Sequence, residues 1–128
     1  MKFIFLSTIT LLLLSCSEQT KQKKVDDNIK TKIMVIHDEV MPATSHLLKL
    51  RSSLQKKIET NSNDSATLQL SIDSLLIAHD KMMEWMKGYD ASHDLNDSTY
   101  FIKQKQKITI VNQLYSSTIL SAEQKLAK

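Results

Sequence analysis

Residues 26–60, DDNIKTKIMVIHDEVMPATSHLLKLRSSLQKKIET, set Ile29, Ile33, Ile36, Val40, Ala43, Leu47, Leu50 and Leu54 at alternating steps of four and three. Such steps return to one side of an α-helix every two turns, so these side chains form a continuous apolar seam suited to packing against other helices. Met34, His37, Met41 and Leu48 widen the seam on one flank. Pro42 falls on the opposite, solvent-facing side and removes the bond its N–H would make to the Asp38 carbonyl. The seam keeps its phase across the proline, which predicts one kinked helix rather than two.

The pattern repeats toward the C-terminus. Asn61-Ser62-Asn63-Asp64 reads as a polar turn with Asp64 as N-cap. A second segment, Ser65 to Lys87, carries Leu68, Ile72, Leu75, His79, Met82 and Met86 on the same step, flanked by Leu76 and Met83, with Gly88 as its stop. Trp85 falls off that seam beside Met82 and reads as cover for the hairpin. After the polar, acidic loop from Tyr89 to Asp97, a third segment starts at Ser98, capped by Asp97. Its face is thinner: Phe101, Ile108, Val111, Leu114, Tyr115, Thr118, Ile119, Ala122 and Leu126. One glycine and one proline in 128 residues agree with helix throughout. Three amphipathic segments with short connections imply an all-α domain over residues 26–128, an elongated antiparallel three-helix bundle running up-down-up with a long first helix.

The other end of the chain reads as an address. Met1-Lys2 is followed by an apolar run from Phe3 to Leu14 and by Ser15, the layout of a signal peptide over residues 1–15. The run is too short to cross a bilayer, which takes roughly 20 apolar residues. Leu13-Leu14-Ser15-Cys16 resembles a bacterial lipobox, and Cys16 is the one cysteine of the chain. The resemblance implies acylation of Cys16 and attachment to a lipid membrane. Residues 16–25 then form a polar, lipidated tether without apolar period, in which Lys21, Lys23 and Lys24 lie beside the anchor. Ser17, not Asp, follows the cysteine. By the usual lipoprotein sorting rule this favours an extracytoplasmic site on the outer membrane, facing the periplasm.

Three stretches carry a further resemblance: His37-Asp38-Glu39-Val40-Met41-Pro42, Ala78 to Met86 (AHDKMMEWM), and Tyr115-Ser116-Ser117-Thr118-Ile119 approaching Ala122-Glu123. They resemble a family of small helical lipoproteins from Gram-negative bacteria, often labelled "viral A-type inclusion protein". That likeness implies helical architecture and an anchor, and no activity.

Chemistry is sparse. A net charge of +3, with the implied compartment, gives no nucleic-acid footprint. Folding the first two segments about residues 61–64 draws His37 and Met41 toward His79, Met82, Met83 and Met86. Imidazole and thioether ligands suit Cu(I) or Ag(I). Methionines at helical spacing are equally ordinary core filler, with His79 a neutral core histidine at the centre of an apolar seam, and that reading expects no cofactor. Asp38, Glu39, Asp80 and Glu84 read as a solvated surface. Asp90-x-Ser92-x-Asp94 begins like a calcium loop, but Leu95 stands where the turn glycine belongs and Phe101 where the bidentate Glu belongs. Without a nucleophile elbow or glycine-rich phosphate loop, the sequence predicts no enzyme. Two function classes remain: an anchored helical interaction or envelope-structural protein with an envelope protein as partner, and a periplasmic soft-metal binder.

Overall fold

The computed structural model describes residues 16–60 and 62–128, with side chains over 28–60 and 63–128. Three helices follow one another: α1 (Cys16–Thr60), α2 (Ser65–Gly88) and α3 (Ser98–Leu126), with a short 3-10 turn, Ser62–Asp64, between the first two. At 1.5 Å per residue α1 would span about 68 Å, far more than either partner. It reaches back to Cys16 through the stretch expected as a spacer. The reason is compositional: Ser, Glu, Gln, Thr and Lys without glycine or proline do nothing to stop a helix, and a missing apolar period does not forbid one.

Cross-helix contacts fix the directions. Thr44 Oγ1 meets the Tyr115 hydroxyl at 3.3 Å, His46 Nε2 meets Glu123 Oε1 at 2.8 Å, and Lys57 Nζ donates to the Lys125 carbonyl at 2.9 Å. Both residue numbers rise together, so α1 and α3 run parallel. The His37 ring lies 6.0 Å from that of Trp85, while the earlier Lys30 donates to the later Ala91 carbonyl at 2.6 Å. There one number rises as the other falls, so α1 and α2 are antiparallel, and the topology is up-down-up. α1 continues through Pro42, which is exposed, and the seam is buried on both sides of it at Val40 and Leu47.

The core is one cluster along the full bundle. α1 contributes Ile33, Val40, Leu47, Leu50 and Leu54; α3 contributes Phe101, Gln104, Ile108, Val111, Tyr115, Thr118 and Ala122. The α3 seam thus keeps the three-four step without a gap, because Gln104 fills the position between Phe101 and Ile108. Leu114, Ile119 and Leu126, expected on that seam, flank it half-buried. On α2 the buried line is Leu68, Ser71, Ile72, Leu75, Ala78, Met82 and Trp85. The sequence reading placed His79 and Met86 on this line and Trp85 off it; the structure rotates the seam by one residue at those turns. α2 packs on two helices at once, so its buried stripe is broad, and the small Ser71 and Ala78 let neighbours approach where a larger side chain would hold them off.

The helix ends obey local chemistry unevenly. Asp97 caps α3 as expected, its Oδ1 accepting from the Tyr100 N–H at 3.0 Å. Asp64 occupies the N-cap position of α2 but its side chain makes no capping bond, because the preceding 3-10 turn holds its backbone away from the extended geometry that aims a cap. Gly88 is the last residue of α2, followed by the extended Tyr89, and it does not adopt a left-handed conformation. A Cβ there would meet nothing within 4 Å.

Candidate functional site

The antiparallel register sets His37 of α1 opposite Trp85 of α2, their rings 6.0 Å apart. His37 and Met41 on α1 are half-buried, and Met41 joins the same core cluster as Met82, Met83 and Met86 of α2. Met82 is fully buried, while Met83 and Met86 are half-buried at its sides. His79 is also half-buried, with 27% of its side chain accessible, since Ala78 takes the seam centre. Each histidine has its Nδ1 toward the carboxylate that follows it in sequence: His37 to Asp38 at 3.0 Å, His79 to Asp80 at 3.6 Å. Of the two, the His37 contact is a hydrogen bond, and an imidazole held this way keeps Nε2 as its free ligand atom. Among the described residues no three His, Cys, Asp or Glu side chains gather as a metal-holding group, so a metal here would depend on thioether sulfur.

The carboxylates nearby lie at the surface. Asp38, Glu39 and Asp80 are exposed, and Glu84 pairs with Lys81 at 2.7 Å. The hydrogen bond from Lys81, its charge and that of Lys107 hold the Glu84 carboxyl below the usual carboxylate range.

The connection from α2 to α3 is more organised than its composition suggests. Asp90 Oδ1 accepts from the Ser92 N–H at 2.8 Å and from its hydroxyl at 2.6 Å; Asp94 Oδ1 accepts from the Asn96 N–H and side-chain amide, both at 2.9 Å. Asp97 Oδ2 takes the His93 Nε2 at 2.9 Å. The carboxylates are thus turned into the loop's own donors, an arrangement that folds the chain rather than one that encircles a cation. Those bonds hold Asp90 and Asp97 below the ordinary carboxylate range. Around them aromatic rings stack in succession: Trp85 on Tyr89 at 4.9 Å, Tyr89 on Tyr100 at 6.5 Å, and His93 on Tyr100 at 3.8 Å, with Phe101 edge-on to Tyr100 at 5.2 Å. The sequence carried a signal for this that periodicity analysis passes over: four of the five aromatic residues after Cys16 fall between residues 85 and 101.

Residues 1–15, read as a signal peptide, and the side chain of Cys16, read as the lipidation site, lie outside the described residues. No helix among the described residues is long and apolar enough to cross a membrane. No family model, no curated protein and no solved structure matches the chain.

Proposed function

We propose that this protein is a lipoprotein: the chain is cut before Cys16, acylated on that residue, and holds its helical bundle at the outer membrane facing the periplasm, where it contacts another envelope protein. The feature that carries the reading is the placement of the single cysteine directly after Leu13-Leu14-Ser15. A lone thiol at that position serves as an acyl acceptor, and buried acyl chains contribute about 0.8 kcal/mol per methylene, so two or three chains hold a protein stably at a membrane. The absence of a spanning helix among the described residues is compatible with attachment by lipid. The bundle's chemistry favours a structural or binding role, since the carboxylates are solvated or used in folding the loop.

The test is fractionation of wild type against Cys16→Ser. Wild type is expected in the membrane fraction, and the variant unprocessed or released as soluble protein. Mature Cys16→Ser in the membrane fraction would overturn the reading. Recovery of a stoichiometric envelope protein with the wild-type bundle would identify the partner.

One observation favours the soft-metal alternative, in which Cu(I) or Ag(I) binds to His37, Met41, His79, Met82, Met83 and Met86. His37 has a carboxylate hydrogen-bonded at Nδ1, as metal-binding histidines commonly do. Calorimetric titration with Ag(I) separates the readings: a saturable site weakened by His79→Leu supports metal binding, and no saturable site in wild type removes it.

A further inference from the structure

Charge is spread unevenly over the outside of the bundle. On α1 the exposed Leu48 shares a groove with Arg51, Lys56 and Glu59, as on an ordinary solvated helix face. The side on which α2 meets α3 differs. Its grooves carry Leu70 and Ile110, which at 67% and 64% are the most exposed large apolar side chains among the described residues. Ile77, 54% exposed, follows Leu70 by two helical turns and so lies on the same side of α2. Lys81 and Lys107 stand at one end of this face and Lys125 at the other; between them its lining holds no charge, and Ile108 to Ala122 of α3 contains no charged residue.

Small residues floor the face, and their hydroxyls are already used. Ser71 donates to the Thr67 carbonyl at 3.3 Å, Ser74 to Leu70 at 2.8 Å, and Ser117 and Thr118 to Leu114 at 3.1 and 2.8 Å. Hydroxyls bonded back to their own helix lose little when water leaves, and small side chains let another helix come close. Leu70, Ile77 and Ile110 standing over such a floor suit two helix pairs that close groove to groove into a four-helix layer.

The charges choose the occupant. A two-fold contact sets a surface against itself, so an uncharged centre avoids opposing like charges at the axis. The two ends of the face are of opposite sign. Toward the loop the charges of α2 cancel, Asp80 and Glu84 against Lys81 and Lys87, and Lys103, Lys105 and Lys107 of α3 leave that half positive. Toward the tip, Asp64, Asp73 and Glu123 against Lys125 leave the other half negative. An antiparallel pair lays each positive half over a negative one, whereas a parallel pair lays lysines on lysines.

We propose that the α2–α3 face binds a second copy of this chain, antiparallel, about a two-fold axis near Ser74. Leu70 then lies level with Ile77 of the second copy, and Ile110 lies level with its small Thr118. The uncharged stretch from Thr67 to Lys81 is about 20 Å long and two helices wide, about half of the roughly 800 Å² per partner in a standard interface, so the dimer is reversible. The contact does not depend on the proposed lipid anchor.

The test is cross-linking of the full chain in cells with a short bis-maleimide, the dimer being identified by mass spectrometry of the linked peptides. Unsubstituted chain reports any background from Cys16, acylated or free. Ser74→Cys is expected to link to itself, and Leu48→Cys on α1 to stay monomeric. Thr67→Cys and Lys81→Cys are each expected to stay monomeric alone and to give a mixed dimer when made together, because the antiparallel axis sets one level with the other. Adding Leu70→Lys and Ile77→Lys to Ser74→Cys is expected to lower the dimer about tenfold or more, since each ammonium would be buried without a partner. Both lysines replace side chains more than half exposed, so the cellular amount of the protein should not change. No Ser74→Cys dimer above background would overturn the proposal, as would a dimer that survives both lysines. Thr67→Cys linking to itself would overturn the antiparallel arrangement, and Ser74→Cys linked to a different protein would replace the second copy as occupant.

Discussion

At the tip of the bundle the chain passes from α1 to α2 over Asn61–Asp64, whereas at the other end Tyr89–Asp97 carries it from α2 to α3. The tip carries a 3-10 turn, an N-cap Asp64 without a side-chain capping bond, and the Thr60 hydroxyl donating to the Lys56 and Lys57 carbonyls. The loop end is side-chain work: three aspartates bonded inward, four aromatic residues in contact, and the Asp90 N–H donating to the Tyr100 hydroxyl at 2.6 Å. Lys30 ties the loop to α1 through the Ala91 carbonyl. The difference teaches that a short connection can run through a single 3-10 turn straight into the next helix. A longer connection needs a small core of its own, and here that core lies on the side of the bundle from which α1 runs back to Cys16.

The largest way to break this comparison is at Phe101, which is fully buried where the aromatic stack meets the main core. Phe101→Ala is expected to cost about 3–5 kcal/mol, read as a fall in melting temperature and loss of the near-ultraviolet dichroism of the stack. Truncating Leu126, which is half-buried near the tip, should cost clearly less. Equal losses would show that the loop end has no special share in stability.

A smaller effect comes from acid. The hydrogen bond from His93 and that from the Tyr100 N–H hold the Asp97 carboxyl below its ordinary value, and the bonds from Ser92 do the same for Asp90. A carboxyl lowered in the folded state stabilises it fully above the unfolded value, about 3.9, and that contribution disappears as pH falls through the lowered folded value. The aromatic near-ultraviolet signal of the loop end is therefore expected to weaken below about pH 4, before the far-ultraviolet helix signal. Simultaneous loss of both signals would count against a separately held loop.

The smallest effect is expected at the tip. Asp64→Ala removes no capping bond, so its stability should stay within about 0.5 kcal/mol of wild type in a denaturant titration. A larger loss would mean that Asp64 caps α2 in solution.

What the sequence could disclose follows the range of the interactions involved. The α1 seam, its continuation past Pro42 and the Asp97 cap depend on residues within one or two turns, and each was legible. The α2 seam was misread at Ala78 and Trp85 because a helix with two neighbours buries a stripe broad enough to contain two lines of the same period. Gln104 was invisible for a different reason: polarity argues against burial, and its place on the α3 seam shows only once the helices meet. Likewise Asp90 and Asp94 read as the start of an incomplete calcium loop, whereas they accept hydrogen bonds from Ser92 and Asn96 within the loop. Hairpin register alone brings His37 to α2, where its ring lies beside that of Trp85, but the exposure of His79 was not legible.

The proposal that ties these parts to a cellular role is the lipid on Cys16, and intact-peptide mass spectrometry of the protein taken from membranes tests it most directly. The account predicts an N-terminal peptide that begins at Cys16 and carries a diacylglyceryl group. A peptide beginning at another residue, or Cys16 with a free thiol, would contradict it.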